Sequence, residues 1–423
     1  MAQRFNPNDF GALDNESLRS VNESIVLNLI RERQPISRVG LARLTHLKQS
    51  TITSIANSLL GEDLVYEADL GDSSGGRKPR MLRINGNRSI AIGIHVGVQK
   101  TEIGLGNFNG EILAQCAIDT SKDPRRLLTQ LIEQIDGLMR QHPVPGARME
   151  GIGVSLPGLI DQSLGKIIYS ANLGWRDVEV GAFLRQHYDF DLVFEDDVRS
   201  LGLAEIWFGS LSSLRQYHAI NVSVNEGIGT AIIIGGHLYR GASLGAGQFG
   251  HVSLVPNGAV CGCGNRGCWE LYASDTATVD RYLRYSGASQ DVARPTVGEL
   301  NDRAAGGDQA ALRAIRKTGK YLGMGIAILV NALDPEMIVI QGEIKRAWNL
   351  IEPEIWNVIR ARALARNYSS LRLEPSSMEV NPSLIGAISQ VICRRFAVPY
   401  CPKGREIAPM AADEFNAIHE QKA

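Results

Sequence analysis

Residues 245–274 read GAGQFGHVSLVPNGAVCGCGNRGCWELYAS. His251, Cys261, Cys263 and Cys268 fall close together there, with nine, one and four residues between successive members. Zinc favours four nitrogen or sulfur ligands at tetrahedral corners, and a site closed by four protein ligands is structural. Gly262, Gly264 and Gly267 let the backbone turn sharply enough to aim three thiolates at one centre. The pattern predicts a structural zinc on His251, Cys261, Cys263 and Cys268, against the alternative of three thiols in a flexible loop beside a core histidine. A metal there would make the loop rigid, and its neighbours would inherit that rigidity.

The sequence on either side of this loop has the pattern of an α/β protein. Residues 218–241, HAINVSVNEGIGTAIIIGGHLYRG, alternate apolar and small residues with glycine at the turns, as a β-meander does. Residues 90–115, IAIGIHVGVQKTEIGLGNFNGEILAQ, repeat the same plan earlier in the chain. An amphipathic helix is expected over 127–140, a buried strand over 151–161, a strand running into a helix over 191–209, an apolar helix over 321–333 and a buried strand over 337–344. A meander-plus-helix plan that occurs twice predicts two lobes with a ligand cleft, the acids Glu195, Asp196 and Asp197 standing at a strand end.

The N-terminal residues differ in character. Residues 17–33 place Leu18, Val21, Ile25, Leu29 and Ile30 at helical spacing, and Pro35 ends that helix. Ser37 then caps a helix with Val39, Leu41, Ala42 and Leu44 turned inward. After a break at residues 45–48, a third helix buries Ile52, Ile55, Leu59 and Leu60. Its other face, with Lys48 at its start, shows Gln49, Ser50, Thr51, Thr53, Ser54 and Asn57. Three short helices with a tight second turn read as helix-turn-helix or as a generic three-helix module. Small polar residues at the start of the third helix suit base edges and phosphates. Between Arg31 and Leu60 there are five basic residues (Arg31, Arg33, Arg38, Arg43, Lys48) against Glu32, a local excess of +4 that favours DNA. Two short strands at 64–70 and 81–84 flank GDSSGGRKPR, whose Arg77, Lys78 and Arg80 suit a DNA-contacting wing; the alternative is a solvated linker.

The bulk numbers agree with a globular protein. The 423 residues are 44% apolar and 21% charged. A net charge of −1 argues against a nucleic-acid or membrane field spread over the whole chain, yet allows a local basic patch. No apolar run reaches the roughly 18 residues of a membrane span, and the opening MAQRFNPNDFGALDNE lacks the apolar core of a signal peptide. A cytoplasmic protein with no membrane partner is expected. Cys116, Cys393 and Cys401 are scattered and read as plain thiols of a reducing compartment.

GQFGHV followed by CGCGNRGCWE resembles the E-x-G-H and C-x-C-G-x-x-G-C-x-E motifs of the ROK family (repressors, open reading frames and sugar kinases). The SGGRKP wing and the three helices before it are similar to the repressor branch, the xylose and N-acetylglucosamine repressors. The resemblance covers nearly the whole chain. It implies a duplicated actin-like sugar-kinase fold with an N-terminal winged helix-turn-helix domain. Residues 1–85 would be that DNA-binding domain, 86–198 the first lobe completed by 383–423, and 199–382 the second lobe with the zinc loop. It further implies a sugar or sugar phosphate effector held by Asp196, Asp197, Gln248, His251 and Glu270, with Asp197 and Glu270 on facing lobes. It implies operator DNA as partner, and a homodimer or homotetramer, since paired half-sites mirror a symmetric dimer.

The kinase motifs do not survive intact. Where the family has D-x-G-G-T, this chain has His95, Val96, Gly97 and Val98, which lack the magnesium-binding carboxylate and the hydroxyl. Where it has G-T-G, this chain has Asn225, Glu226 and Gly227, and a carboxylate repels phosphates. Around the sugar, the usual Asn before the aspartate is Asp196 and the usual Glu of E-x-G-H is Gln248, which exchanges donors for acceptors. The reading is a sugar-responsive repressor of carbohydrate-utilisation genes and not an enzyme. The alternatives are an ATP-dependent ROK sugar kinase with an added module, a zinc-stabilised protein-binding scaffold, or a degenerate pocket.

Overall fold

The computed structural model describes residues 15–70, 79–170, 172–212, 217–287 and 293–396. They divide into two compact units, one with the described residues up to Glu195 and those from Ala387 onward, the other Asp196–Gly386.

The first unit opens with α1 (Asn15–Arg33), β1 (Ile36–Ser37), α2 (Arg38–Thr45), α3 (Gln49–Gly61), β2 (Val65–Leu70) and β3 (Arg80–Ile84). The three strands form an antiparallel sheet in the order β1-β3-β2. Ser37 caps α2 by accepting the Gly40 N–H at 3.1 Å. His46 ends α2 in the left-handed region at φ 58°, which turns the chain into α3 within two residues. Ile30, Leu41, Ile52, Ile55, Leu59 and Leu82 are buried here.

Four residues expected inside lie outside: Leu18, Ile25, Val39 and Leu44 are 43%, 36%, 50% and 48% exposed. In α1 the apolar run Ile25-Val26-Leu27 fits more than one helical register, and packing buries Val26 and Leu27 instead. The local positive charge is also smaller than the count suggests. Arg38 donates to Glu67 at 2.8 Å and Arg80 pairs with the same carboxylate, so two cations are committed within the module. Those two hydrogen bonds, Arg80 first, hold the Glu67 carboxyl below its ordinary range.

The unit continues with β4 (Ser89–Val96), β5 (Lys100–Asn107), β6 (Ile112–Asp119), α4 (Pro124–Gln141), β7 (Arg148–Leu156), β8 (Leu159–Asp161), β9 (Lys166–Ser170), β10 (Trp175–Val178), α5 (Val180–Arg185) and β11 (Leu192–Asp196), whose last residue belongs to the second unit. The main sheet runs β11-β7-β4-β5-β6, and β8, β9 and β10 form a small sheet of their own. The connection to the N-terminal module is hydrogen-bonded on both sides. The Asn85 N–H donates to the Leu64 carbonyl at 2.9 Å, and Arg88 Nη1 donates to the Gly146 carbonyl at 2.9 Å.

The second unit contains α6 (Asp197–Trp207), β12 (Ala219–Val224), β13 (Ile228–Ile234), β14 (His237–Leu238), α7 (Glu270–Ala273), α8 (Asp275–Ser286), α9 (Val297–Ala305), α10 (Gln309–Leu333), β15 (Met337–Gln341), α11 (Trp348–Arg362), α12 (Ala365–Tyr368) and β16 (Arg372–Pro375); α13 (Pro382–Phe396) starts there and ends in the first. Its sheet runs β16-β15-β12-β13-β14. The two orders correspond strand for strand: an antiparallel meander leaves the central strand on one side, and a strand parallel to it lies on the other. The duplication read from the two meanders is therefore present. Strands β12 and β15 are buried throughout, as central strands covered on both faces must be. Edge strand β6 alternates half-buried and exposed residues, as a one-sided strand does.

Helix α10 packs over the second sheet with Leu322, Ile326, Leu329 and Val330 buried. At Gly325 it accepts the fully buried ring of Trp269, and a Cβ there would stand 2.1 Å from the indole. Replacing Gly325 by alanine overpacks this contact and should cost about 1–3 kcal/mol in a denaturant titration. Gly137, inside α4, has nothing within 4 Å of the same position. Gly137→Ala should instead raise stability by about 0.5–1 kcal/mol, because alanine is the better helix former.

Candidate functional site

The site grows from the loop between β14 and α7. Gly247 adopts φ 97° and passes so close to β13 that a Cβ would stand 2.2 Å from the Thr230 carbonyl; Thr230 Oγ1 donates to the Gly247 carbonyl at 2.7 Å. The loop is thereby held against the sheet, and Gln248–His251 form a short 3-10 turn. Further on, the Leu254 N–H donates to the Gly267 carbonyl at 2.8 Å and the Trp269 N–H to the Val252 carbonyl at 2.9 Å, which brings the cysteine segment back to His251.

His251, Cys261, Cys263 and Cys268 come together with their ligand atoms within 4.8 Å of one another. A tetrahedral ion with bonds of about 2.3 Å to sulfur and about 2.1 Å to imidazole sets S···S near 3.8 Å and S···N near 3.6 Å. Cys263 and Cys268 Sγ are 3.7 Å apart, and Cys261 Sγ lies 3.7 Å from His251 Nδ1. The donor set and its edges fit one metal ion such as zinc. Burial pushes the Cys261 thiol far up and the Cys268 thiol up to about 11. A divalent cation among them reverses that preference by favouring thiolate.

Glu270, the first residue of α7, borders the cluster. Its Oε1 accepts from the Cys261 thiol at 3.0 Å and lies 3.3 Å from His251 Nδ1. Its Oε2 faces the β12–β13 turn, where a Cβ on Gly227 would stand 2.9 Å from it. The same turn carries Glu226. Asp197 opens α6, half-buried, with Oδ1 accepting the Val198 N–H at 2.9 Å. Desolvation pushes its carboxyl up to about 6; hydrogen bonds from Val198 and Asp197 N–H and the Arg199 charge oppose that shift, and Glu226 adds to it. Asp275, at the start of α8, is pushed up to about 7 by burial, then by Glu226 and Glu343. Its Oδ1 is buried without a hydrogen-bond partner among the described residues.

Two expectations about individual residues change. Asp197 and Glu270 lie in the same compact unit, not on facing lobes. Asp196 is buried and occupied: it accepts the Arg199 N–H at 2.9 Å as the cap of α6 and pairs with the Arg199 guanidinium. Its carboxylate therefore orders the helix that presents Asp197, a role set by the i, i+3 spacing of Asp196 and Arg199. Sequence reading passed over Arg199. Its Nη1 also donates to the Leu244 carbonyl at 2.8 Å and so ties α6 to the chain just before Gln248. Asp275 was missed as well, although Ser274 followed by an acid at the first position of an amphipathic helix is a helix-start signature. Gln248 is exposed.

His95, the penultimate residue of β4, has its Nδ1 buried and unpartnered among the described residues, and burial pulls its pKa down to about 4. It stays neutral and offers no hard oxygen to magnesium. At the N-terminal module, Lys48, Gln49, Ser50, Thr53 and Ser54 are exposed on α3 and Thr51 is half-buried. Arg77 and Lys78 lie outside the described residues.

The profile of the ROK family matches residues 91–393. The chain is 34% identical over 390 residues to the xylose repressor of Bacillus subtilis (strain 168), across 90% of this chain and 97% of that one. It is 30% identical over 386 residues to the DNA-binding transcriptional dual regulator NagC of Escherichia coli (strain K12), across 88% and 93%. Among solved structures, a ROK family transcriptional regulator, homologue of the E. coli MLC protein, superposes with a TM-score of 0.77 at 26% identity, covering 90% of this chain and 99% of that one. A ROK family glucokinase from Streptomyces griseus shares the fold with a TM-score of 0.61 at 22% identity, over 71% and 98%. With a doubled mixed α/β sheet plan of the sugar-kinase kind and relatives spanning nearly its whole length, the chain belongs to the ROK family.

Proposed function

We propose that this chain is a sugar-responsive transcriptional repressor of carbohydrate-utilisation genes, acting in the cytoplasm as a homodimer or homotetramer. The observation that carries the reading is the exposed polar start of α3. Lys48 precedes it without a side-chain cap, so the first backbone amides are open to a phosphate. In this reading α2 and α3 are the helix-turn-helix, β2 and β3 are the flanks of the wing, and Arg77 and Lys78, which fall between them in sequence, contact the DNA backbone. Residues 1–85 are the DNA segment, and the two lobes follow the compact units, which divide after Glu195 and again before Ala387 instead of at 198 and 383.

The effector is a sugar or sugar phosphate, with Asp197 accepting from a hydroxyl and His251, Glu270 and Gln248 around it. Asp196 serves through α6. Xylose and N-acetylglucosamine, for which relatives are named, head the panel of candidates. Phosphoryl transfer is not its chemistry: Glu226, Asp275 and Asp197 set mutually unfavourable negative charge about the turn that would meet nucleotide phosphates. No helix of the described residues is long and apolar enough to cross a membrane.

The test is an operator titration by fluorescence anisotropy with and without each sugar. Asp197→Asn keeps the shape and removes the charge; it should bind operator like the parent and lose the sugar response. A parent protein that ignores every sugar, or phosphorylates one with ATP, would sink the assignment.

The metal is structural zinc. Elemental analysis should return about one zinc per chain. Cys263→Ser should release it and lower the melting temperature, because the loop that carries His251 and Glu270 loses its centre.

On DNA, Ser54→Ala should narrow the gap between operator and unrelated sequence. Lys48→Ala should weaken both alike and reduce the slope of log K against log salt by about one.

A further inference from the structure

The first half of α10 has an outer face that the sugar and metal chemistry does not use. Arg313, Arg316, Lys317 and Lys320 recur there at i, i+3, i+4 and i+7, all exposed. They line a groove of about 440 Å³ whose other walls are Tyr285 from α8 and Glu354 from α11. Like charges three and four apart destabilise a helix. Two of the four are also steered: the Arg313 guanidinium lies 4.2 Å from the Tyr285 ring centre, and Lys317 Nζ 5.1 Å from that of Tyr321. One carboxylate, Glu354, lies 3.6 Å from Lys320. Four cations against one acid leave a net charge of +3 in a concave site.

We propose that this groove binds a small organic phosphate. Its volume lies within the roughly 300–1,000 Å³ of small-molecule sites. Seven helical steps separate the outermost cations, a span of about 10 Å, which suits one or two phosphates better than the many of a nucleic-acid backbone. Arginine forks match phosphate oxygens in pairs, and lysines add point charge. Glu354 gives a hydroxyl on the same ligand an acceptor, which distinguishes an organic phosphate from the bare ion.

The groove is connected to the metal loop. The Tyr321 ring beneath Lys317 also packs on Tyr272, with centroids 5.1 Å apart, and the Tyr321 carbonyl accepts the Trp269 indole N–H at 2.9 Å. A ligand that draws Lys317 off Tyr321 therefore acts on the residues next to Cys268 and Glu270. This site is separate from the sugar pocket and does not rest on its assignment.

Isothermal titration of the full chain with inorganic phosphate, a hexose 6-phosphate and ADP, each at millimolar concentration, tests it. A saturable heat is expected with the hexose phosphate or ADP, stronger than with inorganic phosphate. The exposed double variant Arg313→Gln, Arg316→Gln should weaken it by at least about tenfold, since two charge-assisted contacts are lost. The variant should melt no lower than the parent, since like-charge repulsion is relieved, and should keep its sedimentation coefficient and operator affinity. The proposal is overturned if no organic phosphate binds, or if it binds the double variant equally well. Weaker operator binding by the variant would make the groove a DNA contact, and altered sedimentation would make it an interface between copies; either result also overturns it.

Discussion

The burial of Trp269 is the contact on which the second unit's site depends. Its ring fills the space left by Gly325, and its N–H is satisfied by the Tyr321 carbonyl. An indole buried this completely fixes the backbone on both sides of it. Cys268 precedes it and Glu270 follows, so one packing event places a thiol of the His/Cys cluster and an acid together. The loop is long and rich in glycine, and without that anchor its conformational entropy would oppose any fixed geometry. The His251, Cys261, Cys263 and Cys268 cluster and the indole packing therefore meet at the same few residues from opposite sides, one polar and one apolar.

Legibility followed the distance over which the determining forces act. The ligand cluster was readable because its four members lie within eighteen positions and glycine supplies the turns. The duplicated meanders were readable for the same reason. Register in α1 was legible only in part: Ile30 is buried as its spacing predicts, but Val26 and Leu27 are buried in place of Ile25. Helix α11 runs through Pro353, a residue that reads as a stop when neighbours are unknown. The role of Asp196 depended on whether its carboxylate faced a ligand or its own helix, and only the position of the Arg199 guanidinium decides that. Arg38 likewise counted as free charge until Glu67 came beside it from a strand twenty-nine residues away.

The acids of the second unit show a cost that the fold carries. Asp197 and Asp275 are held protonation-prone by desolvation, and each feels Glu226. Burying mutually repelling groups lowers stability, and such arrangements mark sites where chemistry outweighs packing.

Helix α13 has a consequence for biosynthesis. It supplies Ile388, Val391 and Ile392 to the first unit, and its Ala387 carbonyl lies so near Gly153 that a Cβ there would stand 1.9 Å from it. Its end grips the N-terminal module: Arg395 pairs with Glu62 at 2.8 Å, and Asn28 donates to the Phe396 carbonyl at 2.7 Å. Chains emerge from the ribosome N-terminus first. The module at the start of this chain therefore reaches its finished setting only after nearly everything else has been translated. A nascent or prematurely ended chain lacks that last helix, so the form with the module locked in place is reserved for chains that also carry the complete second unit.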